Sequence, residues 1–74
     1  MPKDLKRSLT IAGHRTSLSL EPEFWEALRK AADARGVSVS ALVSEIDQGR
    51  GGRNLSGAVR VWLLKDLESL LRGR

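Results

Sequence analysis

The sequence has no cysteine, which excludes disulfides and metal sites built on thiolates. Its single histidine, His14, is too few for a metal site held by several imidazoles. A chain of 74 residues is one small domain, and such a domain buries only about 60% of the surface that its unfolded form exposes. Because neither usual reinforcement of a small core is present, we expect the chain to associate with a second copy as an obligate homodimer.

The sequence also lacks the long apolar run of a membrane span and the apolar segment of a signal peptide. It contains no nucleophile beside a base, no metal-binding cluster and no paired acids at catalytic spacing. We therefore expect a cytoplasmic protein that is not an enzyme, carries no cofactor and does not bind a membrane.

Charge is unevenly distributed along the chain, whose formal net charge is +4. Residues 1–20 carry four basic side chains against one acidic, and residues 21–47 carry three basic against six acidic. Residues 48–60 carry three basic side chains and no acidic one. Basic charge gathered in this way suggests an anionic partner such as nucleic acid. Basic segments that only increase solubility would explain this distribution equally well, so charge alone does not establish an anionic partner.

Residues Arg15–Leu20 alternate polar and apolar side chains, the pattern of a strand with one buried and one exposed face. Pro22 ends this strand and suits the first turn of a helix. A single strand needs a partner, and Ser8–Ala12 alternates in the same way. The two segments could form a tight hairpin across Gly13, but no Asn-Gly or Asp-Gly turn requires it. The sequence leaves open whether the partner strand comes from the same chain or from a second one.

Three helices are predicted after the strand. The first begins at Pro22 and ends before Gly36, and the second follows the N-cap Ser38 and ends near Gln48. The third covers about residues 54–71, and its apolar side chains spread over more than one stripe. We expect this third helix to be buried on two sides, which again indicates a partner chain.

The elements and their order resemble the ribbon-helix-helix domain family of the Arc and methionine-repressor type. The segment HRTSLSLEPEFWEALRKAADARGVSVSALVSEI, residues 14–46, has the general pattern of strand, helix, turn and helix. The segment NLSGAVRVWLLKDLESLL, residues 54–71, is similar to the added helix of a bacterial subset of that family. The resemblance implies a mainly α fold with a short β-ribbon, an intertwined homodimer and a third, C-terminal helix.

The resemblance also implies a function, which is sequence-specific DNA binding by a transcriptional regulator. The strand would pair with the same strand of a second chain, and the resulting two-stranded ribbon would enter the major groove. Bases would be contacted by its outward side chains, which are Arg15, Ser17 and Ser19. A backbone phosphate would be bound at the start of the second helix by Ser38, Val39 and Ser40. The dimer core would contain Thr16, Leu18, Leu20, Phe24, Leu28, Leu42 and Ile46.

The chain would then divide into a flexible basic arm, residues 1–7, and a single domain, residues 8–74. In the arm, Lys3, Lys6 and Arg7 would contact DNA phosphates.

Two features of the sequence conflict with the predicted insertion of the ribbon into the major groove. If Ser8–Ala12 pairs with the strand in its own chain, a dimer has a four-stranded sheet, which is too wide to enter the groove flat. The acidic residues Glu21, Glu23 and Glu26 follow the ribbon directly and would repel phosphate if they point toward it.

The third helix has no counterpart in the simplest members of the family and would serve either a tetramer or a protein partner. The alternative function is therefore a dimeric protein-interaction module, of an antitoxin or scaffold type, that uses this apolar helix and binds DNA weakly or not at all.

Overall fold

The computed structural model describes residues 5–73, which form a two-stranded antiparallel sheet followed by three helices. The elements in chain order are β1 (Leu5–Ile11), β2 (His14–Leu20), α1 (Pro22–Arg35), α2 (Val39–Gln48) and α3 (Leu55–Arg72). This architecture confirms the predicted fold class, a mainly helical domain with a short β-ribbon and a third, C-terminal helix.

The strands β1 and β2 form a hairpin within the chain, in a register that pairs Ile11 with His14 beside the turn. The turn consists of Ala12 and Gly13, whose φ angles of 52° and 83° are both positive. Positive φ at both positions is the geometry of a type I′ turn, whose twist matches that of the flanking strands. The hairpin answers the question that the sequence left open for one edge of β2, which pairs with β1 of the same chain. Pairing of β2 with a second chain, which the resemblance implied, stays a prediction.

β1 begins at Leu5, inside the segment that was predicted to be a flexible arm. Residues 5–7 pair with residues 18–20 of β2, so the boundary predicted at residue 7 is corrected. The strand is longer than its apolar alternation predicted. Residues 5–7 are held by backbone pairing with β2 and not by burial of apolar side chains. Residues 1–4, including Lys3, lie outside the described part of the chain.

The hairpin separates its side chains into two faces, because directly opposed residues of antiparallel strands point to the same side. One face packs on the helices and contains Leu18 and Leu20, which are 1% and 0% exposed. The other face, called the outer face below, consists entirely of polar residues: Lys6, Ser8, Thr10, Arg15, Ser17 and Ser19.

One hydrophobic core joins the hairpin to all three helices. Its most deeply buried side chains are Leu18, Leu20, Leu28, Leu42, Val43 and Val59. Of the residues expected in a dimer core, the single chain itself buries Leu18, Leu20, Leu28, Leu42 and Ile46, and it half-buries Thr16 and Phe24. Burial of these residues therefore occurs within one chain, and their part in a dimer core stays a prediction.

Capping residues satisfy free backbone groups at the end of α1 and at the starts of α2 and α3. Gly36, with a φ of 69°, ends α1 in the left-handed conformation that favours glycine. The hydroxyl of Ser38 accepts the N–H of Ala41 at 3.0 Å at the start of α2. The side-chain oxygen of Asn54 accepts the N–H of Gly57 at 2.7 Å at the start of α3. Both contacts are the N-cap interaction, which fixes where each helix starts.

The third helix is buried on one side only. Ala58, Val59 and Leu63 pack into the core. The largely exposed leucines of the helix are Leu64, Leu67, Leu70 and Leu71. Burial on a second side, which its composition predicted, is not present among the described residues of this single chain.

Replacing Leu18 with Asp tests the assignment of the two hairpin faces. Leu18 is 1% exposed, so the substitution removes a buried side chain and places an unpaired carboxylate in the core. We expect a loss of about 4 kcal/mol or more in the free energy of unfolding, which is enough to unfold a domain this small. Ser17→Ala on the outer face should change stability by less than about 0.5 kcal/mol. Urea titration followed by circular dichroism measures both, and equal effects would contradict the assigned register.

Candidate nucleic-acid interface

The outer face of the hairpin is a continuous polar surface. It consists of three cross-strand pairs, which are Lys6 with Ser19, Ser8 with Ser17 and Thr10 with Arg15. All six side chains are exposed except Ser19, which is half-buried. The three predicted base-contacting residues, Arg15, Ser17 and Ser19, therefore share this face with Lys6, Ser8 and Thr10 of β1. The contribution of β1 was missed because the sequence did not decide which strand pairs with β2.

The electrostatics of the outer face are simple, since it contains two cations and no carboxylate. Within residues 5–73, neither Lys6 nor Arg15 forms an ion pair or a side-chain hydrogen bond. Both cations are consequently available to an anionic or hydrogen-bonding ligand, while the serine and threonine hydroxyls between them can donate and accept.

The sheet to which this face belongs has two strands. Neighbouring strands lie about 4.8 Å apart, and the major groove of B-DNA, about 12 Å wide, admits a two-stranded ribbon. The hairpin of one chain thus has the width that the groove accepts without help from a second chain.

Arg7 lies on the helix-facing side of the hairpin, away from the outer face. Its guanidinium carbon lies 4.8 Å from the centroid of the Trp25 ring, a cation–π contact. Lys6 and Arg7, both predicted to contact phosphates, therefore lie on opposite faces of the hairpin, because side chains alternate along a strand. Their contact with phosphate stays a prediction.

Trp25 fixes the far end of β1 against α1. Its indole N–H donates to the carbonyl oxygen of Leu5 at 2.8 Å, and its ring is 7% exposed. This contact holds the open end of the hairpin, where strands otherwise fray, and it positions Lys6 beside it. Sequence reasoning placed Trp25 at the edge of an apolar stripe and did not find this role. The sequence could have indicated it, because a tryptophan expected to be buried needs a hydrogen-bond acceptor for its indole N–H.

The N-terminus of α2 lies next to β1, where Val39 lines a shallow depression together with Leu5 and Leu9. Ser38 caps this helix through its hydroxyl, and Val39 and Ser40 are half-buried. The first amides of a helix have no intrahelical acceptor and attract anions. The three residues predicted to bind phosphate are therefore together, on the β1 side of the domain.

The acidic residues that follow the ribbon are largely balanced by arginines. Glu21 pairs with Arg60 at 2.9 Å, and Glu26 pairs with Arg29 at 3.0 Å. The pKa of the Glu21 carboxyl is lowered, first by a hydrogen bond to its own backbone N–H and then by the guanidinium of Arg60. These pairs reduce the repulsion of phosphate that the acidic run alone would cause.

Residues 5–73 contain no group of three or more His, Asp or Glu side chains that could hold a metal ion. None of the helices in this range is long and apolar enough to cross a membrane.

Comparison with known proteins gives one match. A family model described as the ribbon-helix-helix domain matches residues 5–67, from the start of β1 into the second half of α3. No curated protein and no solved structure matches the chain.

Replacing Trp25 with Phe tests whether the indole N–H holds β1. The substitution keeps a buried ring but removes the donor to Leu5, so we expect a loss of about 1 kcal/mol in the free energy of unfolding. The amides at residues 5–7 should exchange with solvent faster, as measured by hydrogen exchange. Trp62→Phe is the matched control, because the Trp62 indole N–H has no hydrogen-bond partner within residues 5–73. Unchanged exchange at residues 5–7 in Trp25→Phe would contradict this role.

Proposed function

Since the chain belongs to the ribbon-helix-helix domain family, we propose that it is a sequence-specific DNA-binding protein that regulates transcription in the cytoplasm. Members of this family generally bind DNA. The outer face of the β1–β2 hairpin is the surface that enters the major groove. This differs from a ribbon formed by two chains, since both strands come from one chain.

The observation that carries the proposal is the composition of the outer face. A strand face exposed to water is expected to be polar, but this one also contains none of the eight acidic residues that lie within residues 5–73. Its two cations have no ion-pair partner within residues 5–73. Over the part of the chain that the structure describes, this face has two cations, hydroxyl groups and no carboxylate, which is complementary to the base edges and phosphates of a groove.

The residues of the outer face have different roles in the proposed contact. Arg15 can bind O6 and N7 of guanine through two hydrogen bonds, which is the strongest source of sequence discrimination available here. The hydroxyls of Ser8, Ser17 and Ser19 can donate to or accept from any base and discriminate weakly. Lys6, at the open end of the hairpin, would bind a phosphate at the groove wall.

A phosphate contact at the start of α2 would fix the domain on the DNA. The N–H groups of Val39 and Ser40, behind the cap Ser38, supply the donors. Because α2 packs against β1, this phosphate would lie beside the groove that the hairpin occupies. Lys3, which precedes β1 in the sequence, is a further proposed phosphate contact.

We propose that the protein acts as a homodimer in which each hairpin reads one half-site. A single hairpin contributes few base contacts, so two copies are needed for useful affinity. Pairing of two copies through the free edge of β2 would give a sheet of four strands, too wide for the groove. The dimer contact is therefore expected elsewhere on the domain.

A second function is favoured by the exposed leucines of α3. They would allow a dimeric protein-interaction module of an antitoxin or scaffold type. This role uses the helical side of the domain and would persist if the hairpin did not bind DNA.

Arg15→Ala tests the DNA-binding proposal. Loss of a bidentate contact worth about 1–3 kcal/mol should weaken binding to preferred sites roughly ten- to hundredfold for each chain engaged. The preferred sites are first selected from genomic fragments, and affinity is then measured by fluorescence anisotropy against random duplex over a series of salt concentrations. The variant should remain folded, because Arg15 lies outside the core.

Arg53→Ala is the matched control, since it removes one arginine from the exposed loop between α2 and α3. It should leave the discrimination between preferred and random duplex unchanged. The proposal fails if the wild-type protein shows no salt-dependent affinity for any duplex at low salt.

A further inference from the structure

An open groove of about 700 Å³ lies between α1 and α3, and within residues 5–73 these two helices alone line it. Small-molecule sites in proteins typically measure about 300–1,000 Å³, and packed helices are one of the places where they occur. The groove, called the α1–α3 groove below, therefore has the size and the location of a ligand site. It shares no residue with the outer face of the hairpin.

The walls of the α1–α3 groove are mainly apolar, with short side chains on α1 and long ones on α3. The principal residues are Ala27, Ala31, Ala34, Leu64, Leu67 and Leu70. Each of these leucines is more than half exposed, although burial of a leucine side chain is favourable. Exposed leucines opposite short alanines form an apolar channel of the kind that marks a binding surface.

The length of the α1–α3 groove fits a hydrocarbon chain. The groove extends along α1 from Phe24 to Ala34, which is about 15 Å at about 1.5 Å per residue. With carbon–carbon bonds of about 1.5 Å, an extended chain of about 12 carbons has the same length.

Three charged side chains also line the groove, and two of them have close partners of opposite charge. Asp66 binds Arg35 at 2.7 Å, and Arg60 binds Glu21 at 2.9 Å. The third is Lys30, whose charge is balanced far less closely. Lys30 therefore decides which class of ligand the groove accepts.

The ammonium group of Lys30 is held loosely. It lies 3.8 Å from Oε2 of Glu26, and the same oxygen binds Arg29 at 3.0 Å. The Lys30 side chain is 71% exposed. Because a lysine stem is long and flexible, the ammonium group can turn from Glu26 to an anion at the mouth of the groove while both remain in contact with water.

We infer that the α1–α3 groove binds a free amphiphile with an unbranched hydrocarbon chain and an anionic head group, such as a fatty-acid carboxylate. The chain lies between the alanines of α1 and the leucines of α3, and the head group pairs with Lys30. An apolar site with a few polar groups that fix orientation is the usual composition of a ligand site. This inference goes beyond the proposed function and does not depend on DNA binding.

The surface of a bilayer is a poor alternative source of the same head group. A helix that lies on an anionic membrane has a uniformly basic polar side, whereas α3 mixes Lys65 and Arg72 with Glu68. The occupant is therefore a free molecule that enters the groove.

The test is isothermal titration of the full-length protein with dodecanoate below its micelle concentration. We expect one saturable site per chain. Each methylene removed should weaken binding roughly two- to fourfold, because less hydrocarbon is buried, so decanoate should bind roughly four- to sixteenfold more weakly than dodecanoate. Dodecyltrimethylammonium, which has the same chain and a cationic head, should bind more weakly than dodecanoate.

Lys30→Met tests the head-group contact, because it keeps a side chain of similar length and removes the charge. It should weaken the binding of decanoate about fivefold and leave that of decanol, which is uncharged, unchanged. Lys65→Met is the matched control, since it removes an exposed lysine of α3 that does not line the groove. It should bind decanoate as the wild-type protein does.

Ala27→Phe tests the chain contact by filling the groove from the exposed side of α1. It should weaken both decanoate and decanol at least tenfold with an unchanged circular dichroism spectrum. The inference is overturned if the wild-type protein shows no saturable site, which leaves the groove to a protein partner, or if it binds only micelles or vesicles. It is also overturned if Lys30→Met and Lys65→Met have equal effects. Arg15→Ala should bind dodecanoate normally, so failure of DNA binding and failure of this inference are distinguishable.

Discussion

The pairing of β1 with β2 is the contact on which the rest of the structure depends. A lone strand leaves backbone N–H and C=O groups without partners, and here the two-residue turn Ala12-Gly13 supplies the partner strand at once. The pairing fixes the register, and the register places Leu18 and Leu20 on the three helices. The same register brings the residues of the outer face together, so it determines both the core and the candidate interface. A shift of one residue would exchange them.

Much of the fold could be predicted from the sequence, because periodicity and capping residues are local signals. Alternation located β2, Gly36 and Ser38 marked helix ends, and leucine spacing located α3. The partner of β2 could not be predicted, since Ala12-Gly13 lacks the asparagine or aspartate that usually marks a type I′ turn. The alternation was also too weak at its beginning to include residues 5–7.

The candidate site was only half predictable for the same reason. Arg15, Ser17 and Ser19 followed from the alternation of β2, but Lys6, Ser8 and Thr10 join them only through cross-strand pairing, which is not a local property. The hydrogen bond of Trp25 to Leu5 spans twenty residues and likewise depends on the folded arrangement. Association was predicted because α3 and β2 had no partner in the sequence pattern. In the fold, β1 pairs with β2 and α3 contributes Ala58, Val59 and Leu63 to the core of one chain, so association stays a prediction.

The closure of the hairpin within one chain also determines the order of folding. Two-residue turns close in microseconds, and the helices follow one another through short connections, so the domain can fold as a unimolecular process. An intertwined dimer, by contrast, cannot complete its sheet before two chains meet, and its refolding slows on dilution. Because both strands here belong to one chain, the hairpin can form before any second chain is met, and we expect its rate of formation to be independent of protein concentration.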